Sequence, residues 1–182
     1  MILPNKKLIF VHIPRTGGTI IEKSITNKFT EKHNYHKHFS AYDYKWAYPE
    51  EWESYFKFGF VRNPFDWVVS FAIKFHMSPD TLVSYLETNP MYYAHCHSGP
   101  RWGQKIPFCN ILDGVDFVGK FENLQEDYKY LKEKFDLPPM LDEKIKVTEG
   151  RKPNYRYYYD DSLYERVAKI FKKDIEKYEY SF

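Results

Sequence analysis

At 182 residues the chain has the length of one domain, spanning 1–182, with a substantial core. A net charge of only +2 excludes bulk electrostatics as a basis for nucleic-acid binding. Two cysteines, Cys96 and Cys109, are too few for a disulfide framework and are expected as free thiols. No apolar run reaches the ~18 residues of a membrane span.

The first predicted unit covers about residues 7–29. A run of β-branched and aromatic residues ends at Pro14 and breaks into a loop with two glycines and two threonines. It then enters a segment with Ile21, Ile25 and Phe29 on one side. The pattern reads as strand, anion-binding loop, helix. Glycines let backbone N–H groups approach a phosphate, the helix N-terminus adds partial positive charge, and Thr16 and Thr19 add hydroxyl donors. A phosphorylated ligand is expected there. The Lys-Ser/Thr pair of a Walker loop is missing, as is the G-x-G-x-x-G spacing of dinucleotide sites.

Residues 30–55 are polar and aromatic and carry His33, His36 and His38. A buried strand over about 56–61 leads to Asn63-Pro64, a good cap and first turn for a helix. Phe65, Val68, Val69, Ala72 and Phe75 then recur at helical spacing. Ser78-Pro79-Asp80 starts another helix and Asn89-Pro90 stops it. Residues 90–112 have many turn formers and little periodicity. A strand follows over 115–119, then a helix from 122 to about 135 that Pro138-Pro139 breaks. The final helix starts at about Asp160 or Asp161, with Leu163, Val167, Ile170, Phe171 and Asp174 on one face. Alternating strands and helices predict an α/β fold with a mainly parallel central sheet, ligands lying beyond the carboxyl ends of its strands.

Strand followed by Pro-Arg-Thr-Gly-Gly-Thr at 14–19 resembles the 5′-phosphosulfate loop of sulfotransferases that use 3′-phosphoadenosine 5′-phosphosulfate (PAPS). Phe58-Gly-Phe-Val-Arg-Asn-Pro-Phe-Asp-Trp-Val-Val-Ser70 resembles the same family's 3′-phosphate motif: a strand ending in Arg, then Asn-Pro, then Ser eight residues after the Arg. Both motifs fall at strand-to-helix junctions and in the family's order. The resemblance implies a P-loop-like three-layer fold. It further implies that Arg15, Thr16, Gly17, Gly18, Thr19 and Ile20 surround the 5′-phosphosulfate, while Arg62 and Ser70 hold the 3′-phosphate. Arg62 follows a buried strand, where a charge needs a partner; a phosphate bound bidentately is one and a protein carboxylate is the other.

Tyr35-His36-Lys37-His38-Phe39-Ser40-Ala41 resembles the segment of heparan and uronyl 2-O-sulfotransferases that supplies the catalytic base. His38 also fits the shorter H-x-[ST]-A element of bacterial relatives. The likeness implies His38 as base, His36 as its assistant or a holder of the acceptor, and Arg15 as stabiliser of charge on the leaving side. It points to a carbohydrate acceptor, with sulfate ester and 3′-phosphoadenosine 5′-phosphate (PAP) as products. Residues 40–55 and 77–112 are expected to shape the acceptor cleft. The basic turn Glu149-Gly-Arg-Lys-Pro-Asn154 resembles the family's late nucleotide-closing loop and nominates Arg151 and Lys152. Phe121-Glu-Asn-Leu124 resembles a strand-to-helix element with a structural role. Without a signal peptide or anchor, the chain is expected in the cytoplasm. Three rival readings are a metal site among the histidines and cysteines, which no ligand spacing organises, a P-loop kinase using ATP, and a nucleotide-binding module without catalysis.

Overall fold

The computed structural model describes residues 1–26, 38–88, 91–92, 104–105, 107–141 and 150–182. The chain begins with β1 (Ile2–Leu3), turns through Pro4–Lys6, and returns antiparallel as β2 (Leu8–Val11). A loop leads into α1 (Gly18–Thr26). Ser40 and Asp43 form a capping box at the start of α2 (Ala41–Ala47): the Ser40 hydroxyl accepts from the Asp43 N–H at 3.2 Å, and the Asp43 carboxylate accepts from the Ser40 N–H at 2.8 Å. Pro49 opens α3 (Pro49–Ser54), which runs into β3 (Phe56–Val61). Next come α4 (Pro64–Lys74), capped by the Asn63 side chain, and α5 (Pro79–Thr88). A two-stranded ribbon, β4 (Met91–Tyr92) and β5 (Gln104–Lys105), precedes α6 (Phe108–Ile111). The chain closes with β6 (Phe117–Lys120), α7 (Leu124–Phe135), α8 (Asp161–Ile170) and α9 (Lys172–Tyr178).

The main sheet has the order β1-β2-β3-β6, and β2, β3 and β6 are parallel. Parallel strands are covered on both faces, so their side chains are apolar without alternation. Leu8, Phe10, Phe58 and Phe60 pack on one face against Ile21 of α1 and Leu124, Tyr128 and Leu131 of α7. Ile9, Val11 and Val61 face the other way, against α2, α3, α4, α5 and α8 through Tyr44, Trp52, Phe65, Leu82 and Leu163. This is the expected three-layer α/β fold, its central sheet mostly parallel and flanked by helices.

Several boundaries differ from the sequence reading. Residues 40–55 form two helices of 7 and 6 residues, too short for an apolar stripe to show in a window of ~11–18 residues. The strand expected at 115–119 lies at Phe117–Lys120; Asp116, just before it, donates its N–H to the Lys57 carbonyl at 2.8 Å and takes the Lys57 N–H on its carboxylate at 2.7 Å. The helix expected from residue 122 begins at Leu124, after a 3-10 turn over Phe121–Asn123. The last helix breaks at Phe171 into α8 and α9. Among the described residues no helix is long and apolar enough to cross a membrane.

Candidate functional site

Since β2 and β3 are parallel neighbours, the loops leaving their carboxyl ends emerge side by side. The first of these joins β2 to α1. Arg15 and Gly17 both adopt left-handed backbone, at φ 67° and 83°. Gly18 is a glycine for reasons of space: a Cβ there would fall 2.1 Å from the His12 ring, and one on Gly17 would fall 3.0 Å from Leu124. The glycines thus serve packing as well as backbone approach to a ligand. Thr16 is fully buried, and its hydroxyl donates to the Ile13 carbonyl at 2.8 Å. Its proton braces the loop rather than facing outward, unlike the donor role expected for it. Thr19 is exposed in the first turn of α1, while the Ile20 N–H is already donated to the Gly17 carbonyl at 3.1 Å. The amides of Gly18 and Thr19 remain the first-turn donors without an acceptor inside the helix.

The second loop brings Arg62, 5% exposed, to the first. Its Nη1 donates to the Arg15 carbonyl at 3.0 Å and to Ser70 Oγ at 3.2 Å. Arg15 donates to that same hydroxyl from Nε at 3.2 Å and Nη2 at 3.1 Å. The other edge of Arg62 meets Asp66 one helical turn on, Nε at 2.7 Å and Nη2 at 2.6 Å. The second oxygen of Asp66 accepts from Arg151 Nη2. Burial, followed by the charges of Arg62 and Arg151, lowers the pKa of Arg15. Burial also lowers that of Arg62, and Asp66 opposes the shift. Of the two partners open to the buried Arg62 charge, a phosphate or a protein carboxylate, the carboxylate of Asp66 is present. Arg15 and Ser70, expected at opposite ends of a nucleotide, are in contact.

Neighbouring elements hold this cluster. The Phe121 ring lies 4.1 Å from the Arg62 guanidinium, and Glu122 Oε1 accepts from the Asn63 N–H at 2.7 Å. Trp67 Nε1 donates to the Pro14 carbonyl at 2.8 Å, tying α4 to the first loop. The Phe-Glu-Asn-Leu element therefore underlies both loops. Lys152 is not brought to the cluster: its N–H donates to the Tyr158 hydroxyl at 2.8 Å, and its ammonium lies over the rings of Tyr157 and Tyr158.

At the root of the first loop sits His38. Its Nδ1 is 3.1 Å from the main-chain carbonyl of His12, and the two rings are 4.6 Å apart, tilted by 57°. His12 is 2% exposed, stacks on Phe10 at 5.3 Å, and places Nδ1 3.0 Å from Glu22 Oε1. His36 lies outside the described residues.

No sequence motif singles out Asp66, His12 or Glu22. Asp66 could have been found from its i,i+4 spacing to Arg62. Glu22 carried a weaker signal, as a carboxylate beside the buried Ile21 that needs a partner once the helix packs. Among the described residues no group of three or more His, Cys, Asp or Glu is arranged to hold a metal. His33, His95, Cys96 and His97 lie outside them. Cys109 is free and partly buried, its pKa raised by burial and then by Asp174.

A family model described as the sulfotransferase family matches residues 1–181. No curated protein and no solved structure matches the chain.

Proposed function

We propose that this chain, which belongs to the sulfotransferase family, moves a sulfuryl group from PAPS to a hydroxyl acceptor and leaves PAP. One observation carries the choice of nucleotide. Three N–H donors, from Arg15 and Arg62, converge on the single hydroxyl oxygen of Ser70, which has two lone pairs. Beside them Arg151 Nε is buried with no partner among the described residues. Three guanidinium donors crowded on one hydroxyl, with the buried Arg151 Nε beside them at the ends of two parallel strands, fit a phosphate with three acceptor oxygens. A 3′-phosphate held by Arg62, Ser70 and Arg151 satisfies them.

PAPS supplies a sulfuryl group on a phosphate leaving group. The residues of the chain act around it. The amides of Gly18 and Thr19, with the exposed Thr19 hydroxyl, hold the 5′ end at the positive end of α1. Arg15 lies between both ends of the nucleotide and stabilises negative charge that develops on the leaving side. His38 accepts the proton of the attacking hydroxyl. The helix that follows it, α2, carries Tyr42 at 75% and Trp46 at 69% exposure, four residues apart and on one face. Two exposed rings there suit the apolar face of a sugar and favour a carbohydrate acceptor.

Calorimetry with PAP and AMP tests the reading. PAP is expected to bind more tightly, because AMP has no 3′-phosphate for Arg62 and Arg151. Arg62→Ala should weaken PAP by ~1.5–3 kcal/mol and leave AMP almost unchanged. Equal affinities for the two nucleotides would rule out a 3′-phosphate site.

A further inference from the structure

We propose that His12 and Glu22 are positioning residues that fix the tautomer of His38 and make its Nε2 the basic nitrogen. The proposal rests on the reading of His38 as base. A carbonyl oxygen can only accept, so the 3.1 Å contact between His38 Nδ1 and the His12 carbonyl requires hydrogen on Nδ1. A neutral ring with hydrogen on Nδ1 has its lone pair on Nε2. An unconstrained imidazole has no such restriction, and an acceptor at one nitrogen sets the role of the other.

The carbonyl can do this only if residue 12 is itself held. Among the described residues, three neighbours hold its ring. Glu22 accepts from Nδ1 at 3.0 Å, with both side chains 3% exposed. Phe10 stacks on it at an interplanar angle of 11°. Gly18 leaves the space that the ring fills, for its Cβ would stand 2.1 Å from Nε2 and Cδ2 of His12. On the other side the His38 ring rests against the His12 ring at 4.6 Å. The same wedge thus sets the first turn of the anion loop and the orientation of His38. Donor and acceptor ends of the reaction are referred to one buried pair, built from the residue that follows β2 and from α1.

The test is nitrogen-15 NMR of the His38 ring, assigned by its loss in His38→Ala, above the pH at which the ring titrates. Wild type should show the Nδ1–H tautomer. Glu22→Ala should shift the signal towards Nε2–H and lower kcat roughly tenfold or more, with PAP affinity unchanged. Glu22→Gln, which keeps an acceptor oxygen in place, should restore both. An Nε2–H tautomer in wild type overturns the proposal, as does a Glu22→Ala protein that binds PAP with wild-type tautomer and kcat. Where Glu22→Ala does not fold, Glu22→Met, which fills a similar volume without an acceptor oxygen, takes its place with the same expected and overturning results. A wild-type rate in His38→Ala instead refutes His38 as base, whatever the tautomer, and so separates the two failures.

Discussion

At the scale of residues, the site is a balance of charge in a buried place. Asp66 stands between Arg62 and Arg151 and compensates charge that burial would otherwise make costly. A dianionic phosphate arriving there would offer the same arginines a stronger partner. Asp66→Asn keeps the shape and removes the compensation. We expect the ligand-free variant to lose about 1–3 kcal/mol of stability. We also expect PAP to raise its melting temperature more than that of wild type, because the phosphate then replaces the missing carboxylate. Thermal unfolding with and without PAP measures both. The same PAP-induced shift in the two proteins would mean that Asp66 and the ligand do not share these arginines.

At the scale of elements, the clearest case is α9 against α6. Asp174 lies on an otherwise apolar helix face and is fully buried. Its carboxylate accepts from the Phe108 N–H at 2.7 Å and the Cys109 N–H at 2.8 Å, capping a four-residue helix that could not hold itself. Burial raises its pKa to about 6, against the opposing pull of those two amides. The folded state therefore binds this proton more tightly than the unfolded state does. The stability contributed by the proton is complete below the ordinary carboxylate pKa and is lost as pH rises to about 6. The loss is on the order of 3 kcal/mol. Urea unfolding between pH 4 and 7 should show this decline in wild type and a flatter curve in Asp174→Asn, which cannot ionise. Parallel curves would place the decline elsewhere.

At the scale of the molecule, two apolar clusters lie on opposite faces of one sheet, and the strands β2 and β3 contribute to both. Neither can dissolve without exposing the other, so unfolding should be a single cooperative transition by fluorescence and by circular dichroism. PAP at 100 times its dissociation constant should add about 2.7 kcal/mol. For a chain of this length that is a rise of roughly 5–11 °C in the melting temperature. Separate transitions for the two probes would show that the faces are not coupled through the sheet.

The features that the sequence determined alone are those that local chemistry writes. An apolar run closed by Arg62-Asn63-Pro64 specifies a buried strand, a cap and a helix start, because these depend on neighbours in the chain. Arg15, Gly17, Gly18, Arg62 and Ser70 are nominated by sequence on the same ground, since each sits in a short motif of defined spacing, and the structure brings the two motifs to adjoining loops. The short helices α2 and α3 were not legible, since their stability comes from packing and from a capping box rather than from periodicity. Nor was the contact of Arg15 with Ser70, 55 residues apart, which depends on β2 lying beside β3. His12 looked like one more strand residue until α1 folded back and set Glu22 against it. Tertiary structure alone decided which buried charge meets which partner, because the cost of desolvating a charge is settled only when the elements that bury it have packed.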